Sequence, residues 1–256
     1  MDSSVYSLKG IASLCEIGDM IDAFAVARKI RDNLYLDLFF INEALNNTPK
    51  DYKFDKSLLE MDKQELIKEM LSYASSVLES EEKNDNIQTI NLWLNNNYSS
   101  KDRKIPFFSF SNYKHSIEGK CNELKECHEK YLDEIFKKTN DTLNNYVHSN
   151  GPSFISNAII DSNKGYYLKA AKDLLELLNT IKRLFLIDLY FIDSTLFQAD
   201  DYLDALEFGL EPEEGSQYRA IYQVIEEFRL IRKEDPKLYF FLKNNNRFYM
   251  ECFDKE

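Results

Sequence analysis

One run of apolar residues constrains this chain more than any other feature of its sequence. Between Asp19 and Asn46 an apolar side chain recurs at every third or fourth position. This spacing places the side chains on one face of an α-helix, whereas the side chains of a strand would alternate between two faces. The stripe consists of Ala23, Ala27, Ile30, Leu34, Leu38, Ile41 and Leu45. Residues 19–46 are therefore predicted to form one long helix with a buried face.

The rest of the chain has similar patterns and few residues that break helices. Only 7 Gly and 5 Pro occur in 256 residues, whereas folds built on sheets need more of both for their turns. Further helices are predicted at 62–79, 87–94, 113–148, 166–197, 200–207, 216–233 and 236–244. We therefore predict an all-α fold, with residues 1–256 forming a single, mainly helical, bundle-like domain of long antiparallel helices.

Two segments could divide this domain. Residues 98–112 are the least helical stretch, because they contain Pro106 and the aromatic run 107–110, so a hinge or a docking loop is expected there. The aromatic run itself is expected to be tucked into the core, with stacking on nucleic acid as the alternative. Residues 200–256 could pack as a C-terminal helical subdomain. Within them, Ser216 is expected to cap the following helix, and binding of a partner by 211–216 is the alternative.

The net charge limits the partners of the chain. Its formal charge is −12 at pH 7, and a protein this acidic is repelled by phosphate backbones and by anionic membranes. Only residues 101–139 carry more Lys and Arg than Asp and Glu, with nine basic against seven acidic side chains. RNA is therefore expected to be bound only through the surface of 101–139, if it is bound at all.

The sequence shows no targeting segment. Residues 1–10 lack the basic and apolar regions of a signal peptide, and no apolar run approaches the roughly 20 residues of a membrane span. The four cysteines, Cys15, Cys121, Cys127 and Cys252, are sparse and unevenly spaced, as reduced thiols usually are. These features predict a cytoplasmic protein without membrane contact.

Several kinds of cofactor and metal site are missing from the sequence. The sequence contains no glycine-rich phosphate-binding motif and no C-x-x-C pair of cysteines. Cys121 and Cys127 lie on different faces of a helix, so they and His128 do not suit a zinc site. No glutamate precedes a histidine by three residues, as it does in the dinuclear metal sites of helical bundles. We therefore expect neither a cofactor nor a bound metal.

The strongest candidate for chemistry lies at the end of the helix predicted at 113–148. Residues 143–151 (LNNYVHSNG) place His148 in the last turn, one turn after Asn144. The helix dipole favours a protonated imidazole at that end. This arrangement resembles the HEPN superfamily of helical nucleases, found in bacterial toxin–antitoxin and abortive-infection systems. The helix at 23–41 also resembles the first long helix of several such proteins.

The resemblance implies a metal-independent RNase site, with His148 as the acid–base residue and Asn144 as its polar companion. Members of the superfamily also carry an arginine four to six residues before the histidine. This chain has Thr142, Leu143 and Asn144 at those positions, so the cation that would stabilise the transition state is absent there. The supporting cations would then have to come from elsewhere, and the candidates are Arg28, Arg31 and Arg183. In the alternative interpretation, His148 only caps the helix.

Two similar segments place an aspartate among apolar residues. Asp37 begins the segment DLFFIN and Asp188 begins DLYFID, and each segment follows an arginine. Because a buried, unpaired carboxylate is costly, both acids are expected to be neutralised in the core by Arg28, Arg31 or Arg183. The alternative is an acidic pair that lines a pocket.

Three classes of function remain open. The missing arginine and the acidic charge favour a catalytically inactive protein that binds a partner or forms a homodimer, as a regulatory component of an antiviral defence or toxin–antitoxin system. The first alternative is a metal-independent HEPN-type endoribonuclease that uses His148. The second alternative is a protein that binds a small ligand between its helices.

Overall fold

The structure is a computed structural model that describes residues 2–47, 85–94, 108–147, 164–246 and 250–254. The fold within these ranges is all-α, which confirms the predicted fold class. Extended backbone pairs there only in an isolated antiparallel bridge between Gln198 and Ala220. No helix among the described residues is long and apolar enough to cross a membrane. The helix predicted at 62–79 and residues 98–107 of the predicted hinge lie outside the described residues.

The helical elements follow one another closely along the chain. The α-helices are α1 (Asp2–Ile17), α2 (Met20–Asn47), α3 (Asp85–Leu94), α4 (Phe110–Lys120), α5 (Asn122–Cys127), α6 (Asp133–Val147), α7 (Lys164–Asp193), α8 (Asp201–Glu207), α9 (Tyr222–Glu234) and α10 (Pro236–Asn244). A π-helical turn at His128–Leu132 joins α5 to α6, and 3-10 turns occur at Ser194–Phe197, Ser216–Tyr218 and Glu251–Phe253. The chain packs as two compact units, the first formed by 1–34 and 121–256 and the second by 35–120.

The start of α2 shows how local chemistry separates it from α1. Gly18 has a φ of 88°, a left-handed conformation that glycine adopts without strain. Asp19 follows, and its Oδ1 accepts a hydrogen bond from the backbone N of Asp22 at 3.1 Å. This bond satisfies one of the free donors at the beginning of the helix. Helix α2 therefore begins where its apolar stripe predicts, whereas α1 was not predicted.

The long helix predicted at 113–148 is interrupted. Helix α4 already begins at Phe110, and the interruption falls at Cys121, whose φ of −136° and ψ of 102° are extended. Gly119, the position at which a break was considered, lies within α4. A second irregularity follows at the π-helical turn, which inserts an extra residue into the helical repeat. The apolar pattern alone continues through both places, so it could not reveal them.

The core of the first unit forms where α1, α2, α6 and α7 meet. Its buried residues are Ile11, Met20, Ala23, Phe24, Ala27, Ile30, Leu143, Ala170, Leu174, Leu177 and Ile181. The ring of Phe24 stacks on that of Tyr146 with centroids 3.6 Å apart. Arg31, further along α2, contacts Asn140, which lies earlier in α6. Helices α2 and α6 are therefore antiparallel, as predicted for the long helices.

The end of α7 packs against the last elements of the chain. Tyr190 lies at the centre of a cluster of buried rings, with Phe228 at 5.6 Å and Phe253 at 5.9 Å between centroids. Its hydroxyl donates to the backbone O of Leu242 at 3.0 Å. This bond satisfies a buried polar group and connects α7 to α10. The C-terminal helices are thus part of the first unit, and they extend its core.

The second unit is held together by aromatic rings from α2, α3 and α4. Tyr35 packs edge-on against Phe110 with centroids 4.7 Å apart, and Trp93 lies 5.7 Å from Phe108. Phe108 and Phe110, the aromatic residues of the run that the structure describes, are therefore half-buried against other rings. The carboxylate of Glu43 is buried in this unit, where it accepts hydrogen bonds from several donors, including Asn86 Nδ2 and Ser116 Oγ, each at 2.9 Å.

The expected cap at Ser216 is wrong. Ser216 begins a short 3-10 turn, and its buried hydroxyl has no hydrogen-bond partner among the described residues. The next α-helix begins only at Tyr222, after Ile221, whose side chain provides no cap. Gly215, with a φ of 80°, turns the chain just before Ser216. The turn residues of 211–216 therefore make a tight bend and not a helix start.

Helix α10 has the best-defined start, and this leads to a prediction. Asp235 Oδ1 accepts from the backbone N of Leu238 at 3.0 Å, and Pro236 occupies the first helical position. Replacing a capping side chain by alanine typically costs about 1 kcal/mol. Asp235→Ala is expected to lower the free energy of unfolding by this amount in urea titrations followed by circular dichroism. Asp173→Ala, at an exposed position inside α7, should change it less, and equal effects would contradict the capping role.

Candidate functional site

The motif that resembles HEPN extends beyond the described part of α6. His148 lies outside the described residues, so its role stays a prediction from the sequence. Asn144 is half-buried in the last turn of α6, the position that the sequence predicts for it. The structure therefore locates one of the two candidate catalytic residues, and it does not test their chemistry.

Among the three candidate supporting cations, Arg31 lies beside the motif helix. Its Nη1 donates to Oδ1 of Asn140, one helical turn before Asn144. The same guanidinium donates to Asp32 Oδ1, at 2.9 Å from Nε and 2.6 Å from Nη2. Arg28 Nε lies 3.8 Å from the second oxygen of Asp32. The positive charge next to the motif is thus offset by a carboxylate, which reduces its attraction for a phosphate.

Arg183 binds carboxylates of α9. Its Nε donates to Glu227 at 2.8 Å and its Nη1 to Glu234 at 2.6 Å. Lys182 Nζ lies 2.6 Å from the second oxygen of Glu227. Burial opposes ionisation of Glu227, but hydrogen bonds from Lys182 and Arg183 outweigh it and lower the pKa of Glu227. Arg183 therefore connects α7 to α9, whereas Arg31 contacts the motif helix α6.

Asp188 is buried, as predicted, and it contacts His128, a residue that the sequence did not suggest as its partner. Its Oδ1 lies 2.8 Å from Nε2 of His128, and each of the two side chains is only 1% exposed. The ring of Phe136 packs edge-on against the imidazole at 4.9 Å between centroids. Asp37 is half-buried, and no ion pair with an arginine forms there within the described residues, since Arg28 and Arg31 bind Asp32. Burial raises the pKa of Asp37.

The pair of His128 and Asp188 is a structural feature of the first unit. A histidine bound to a carboxylate is a common acid–base arrangement, but a base must reach the proton that it abstracts. Neither side chain is exposed, and neither lines the groove or the cavity described below. Burial, followed by the negative charge of Asp188, raises the pKa of the neighbouring Cys127 thiol, which keeps it protonated and unreactive. The pair connects the π-helical turn to α7.

A groove of about 830 Å³ runs between α6 and α7. It is lined by Glu134, Ile135, Lys138, Thr139, Thr142, Tyr146, Asp173, Glu176, Leu177 and Thr180. Three carboxylates against one lysine make this groove acidic. The hydroxyls of Thr142 and Thr180 donate to backbone oxygens of their own helices, at 2.8 Å each, which occupies their only protons. The groove therefore offers little to a phosphate backbone.

The basic excess of 101–139 is largely paired in the part that the structure describes. Lys114 binds Glu118 on α4, and Lys130 binds Glu126. Lys125 Nζ lies 3.9 Å from Glu129. Such pairs at the surface of a helix indicate a mixed, solvated face. Among the described residues, no three His, Cys, Asp or Glu side chains come together where they could hold a metal ion.

The segment 200–222 forms a surface of a different kind, which we call the acidic–apolar surface. Large apolar side chains are exposed on it, namely Leu206, Phe208, Leu210, Tyr218 and Tyr222. Phe208 is 75% exposed, which is unusual for a phenylalanine. The carboxylates between them belong to Asp200, Asp201, Asp204, Glu207, Glu211, Glu213 and Glu214, and residues 200–214 contain no Lys or Arg. Apolar and acidic side chains thus alternate over one short stretch.

A cavity of about 350 Å³ opens beside the acidic–apolar surface. Its lining residues are Thr195, Gln198, Ala199, Asp200, Tyr202, Gln217 and Tyr218. Arg219 lies on the same surface, but its guanidinium is bound by Glu213 at 2.7 Å and by Asp201 at 3.7 Å. The cavity therefore combines one carboxylate, two phenol rings and two amides, and no cation is among its lining residues.

Two of these features were missed from the sequence. His128, which contacts Asp188, lies far from it along the chain, and no local spacing connects the two residues. The acidic–apolar surface had a signal, since residues 200–214 contain seven acids and no base. Within this surface, the sequence suggests partner binding only for residues 211–216. The exposure of Phe208 could not be predicted, because a phenylalanine is more often buried.

The buried pair leads to a prediction about stability. Removing one partner of a buried hydrogen bond leaves the other polar group buried and unsatisfied, at a typical cost of about 1–3 kcal/mol. Asp188→Ala is therefore expected to lower the free energy of unfolding by at least about 1–3 kcal/mol in denaturant titrations near pH 7. Asp37→Ala is the matched control from the similar segment, and it should leave stability unchanged or raise it, because burial disfavours that charge. A wild-type unfolding curve for Asp188→Ala would contradict the pairing.

The lowered pKa of Glu227 gives a second prediction with a defined pH dependence. Its ion pairs stabilise the fold fully above the ordinary carboxyl pKa of about 4.3, and they are lost as the pH falls through the lower pKa of the folded state. Glu227→Gln should cost about 1–3 kcal/mol at pH 7, and this difference from wild type should shrink below about pH 4. The measurement is the free energy of unfolding across pH.

Glu226 provides the control for Glu227. Among the described residues its ion-pair partner is Arg229 of its own helix, at 2.6 Å, and both side chains are well exposed. Exposed pairs contribute about 0.2–1 kcal/mol, so Glu226→Gln should change stability less at every pH. Equal effects of the two substitutions at pH 7 would show that Glu227 contributes no more than a surface pair.

Comparison with protein-family models, with curated proteins and with solved structures finds no match for this chain. The resemblance of 143–151 to the HEPN motif therefore stays a prediction from the sequence. A function has to be inferred from the side chains that the structure describes. Among them, the acidic–apolar surface combines strongly exposed apolar side chains with an unbalanced negative charge.

Proposed function

We propose that this chain is a helical binding protein without catalytic activity, which recognises a partner protein through the acidic–apolar surface. One observation carries the proposal: Leu206, Phe208 and Leu210 expose large apolar side chains within a stretch that contains only acidic charges. Exposed apolar groups rimmed by polar ones are typical of interaction sites. A partner that covers this surface removes apolar area from water, which is the main favourable term in association.

The charge distribution supports binding over cleavage of RNA. The groove along α6 and α7 is acidic, and Arg31 beside the motif helix already binds Asp32. A nuclease needs cations where negative charge develops on the phosphate. Arg31, which contacts Asn140 one turn before Asn144, shares the carboxylate of Asp32 with Arg28, so neither arginine is held ready for a phosphate. An inactive relative of a nuclease that kept the helical frame and lost the cationic site would have these properties.

We also propose a place for this binding activity. The resemblance at 143–151 points to the regulatory component of an antiviral defence or toxin–antitoxin system. The four cysteines are free, and three of them are buried. Free thiols are typical of a reducing compartment, which supports a cytoplasmic location. A regulatory protein in such a system works by holding another protein, and this agrees with a surface built for contact.

The proposal predicts which side chains a partner needs. In the double variant Phe208→Ser, Leu210→Ser, the apolar anchors are lost at positions that the fold does not bury, so the melting temperature should stay near wild type. An extract of the source cells is passed over the immobilised wild-type chain and over this variant. Proteins that only the wild-type chain retains are identified and purified. Isothermal titration calorimetry should then show that the double variant weakens binding at least tenfold.

Leu168→Ser, Leu175→Ser is the matched control, because these two residues of α7 are also strongly exposed, at 66% and 60%, and lie outside the surface. It should bind as the wild type does. Equal binding by all three proteins would contradict the proposal, and sedimentation shows whether the retained partner is a second copy. Metal-free cleavage of RNA that His148→Ala abolishes would instead establish the nuclease alternative.

A further inference from the structure

The cavity beside α8 has walls that backbone hydrogen bonds hold in place. Ala199 N donates to the backbone O of Arg219 at 2.7 Å, and Ile221 N donates to that of Phe197 at 2.8 Å. Phe197 is buried, so this pair of extended segments is anchored in the first unit. The cavity residues lie on or next to these two segments. A site formed in advance loses little conformational entropy on binding.

The groups that line the cavity suit an organic cation. Tyr202 and Tyr218 contribute aromatic rings, whose faces attract ammonium and guanidinium groups. The carboxylate of Asp200 provides the opposite charge, and the amide oxygens of Gln198 and Gln217 are further acceptors. No Lys, Arg or His is among the lining residues. An anion would meet a carboxylate there, and an uncharged ligand would leave it unpaired.

Asp200 is the key residue of this cavity. It occupies the position before α8, where an aspartate usually caps the helix, yet its side chain accepts no capping hydrogen bond. Within the described residues, no hydrogen bond or ion pair reaches its carboxylate. The nearby cation, Arg219, binds Glu213 and Asp201. The negative charge of Asp200 is therefore available to a cation from outside the chain.

We infer that this cavity binds the cationic side chain of an arginine or lysine in a basic, partly apolar segment of the partner protein. The inference rests on the proposed function and specifies the chemistry of the partner. The volume of about 350 Å³ lies near the lower limit of ligand pockets, which fits one long side chain. The seven carboxylates of 200–214 would repel an acidic partner and attract a basic one.

The neighbouring apolar side chains indicate a peptide and not a free amine. Phe208 follows Asp200 by eight residues, which corresponds to about 12 Å along α8. An extended peptide covers this distance with about three or four residues. One segment can therefore place its cation in the cavity and an apolar side chain against Phe208 and Leu210. A free polyamine would fill the cavity and leave these apolar residues exposed.

A random peptide library displayed on phage tests this inference with the whole chain as bait. The wild-type protein should enrich peptides that carry arginine or lysine with a large apolar residue three or four positions away. Against one selected peptide, synthesised and titrated by calorimetry, Asp200→Asn should weaken binding about tenfold, as expected for the loss of a charge-assisted contact. Asp204→Asn removes an exposed charge of α8 outside the cavity, and it should weaken binding less than threefold.

The outcomes separate this inference from the proposed function. If the peptides need Phe208 and Leu210 but bind Asp200→Asn as tightly as wild type, the binding surface stands and the cation site is wrong. If agmatine displaces them and the Phe208→Ser, Leu210→Ser variant binds them normally, the site takes a free amine and the inference about a peptide is wrong. The inference is also wrong if the enriched peptides carry no arginine or lysine. It is equally wrong if no enriched peptide depends on the acidic–apolar surface. Unchanged melting temperatures confirm that each variant is folded.

Discussion

Burial of apolar side chains of α2 is the interaction on which both units depend. The first half of this helix contributes Ala23, Phe24 and Ala27 to the core of the first unit, where the small alanines allow close packing of helices. Its second half contributes Tyr35 and Phe39 to the aromatic packing of the second unit. A single helix of 28 residues thus supplies one wall of each core. Because apolar burial dominates folding, each half of this helix carries apolar side chains where it packs.

The sequence predicts this part of the fold well, because periodicity reports directly on a buried helix face. Helices α2, α7 and α10 lie close to their predicted ranges, and the caps at Asp19 and Asp235 are visible as local chemistry. The interruption at Cys121 and the π-helical turn have no such signal, because buried apolar residues continue through both. Sequence patterns therefore locate the long helices and miss the irregular residues between α4 and α6.

The candidate site was predictable only where its parts are close along the chain. Asn144 and His148 form a local motif, and so do the acids of 200–214. The partner of Asp188 had to be guessed from the charges on neighbouring turns, and this favoured an arginine over His128. In the structure, Arg28 and Arg31 bind Asp32 on their own helix, Arg183 binds carboxylates of α9, and Asp188 contacts His128.

The placement of the acids next to Phe208 and Leu210 solves a physical problem for a binding protein. Exposed apolar side chains invite association of the chain with itself, and this risk grows with the area of the patch. Carboxylates between them make two copies repel each other, because like charges across an interface are unfavourable. A basic partner meets no such repulsion and gains from both terms. Under the proposed function, the same charges would disfavour contact between two copies of this segment and would favour a basic partner.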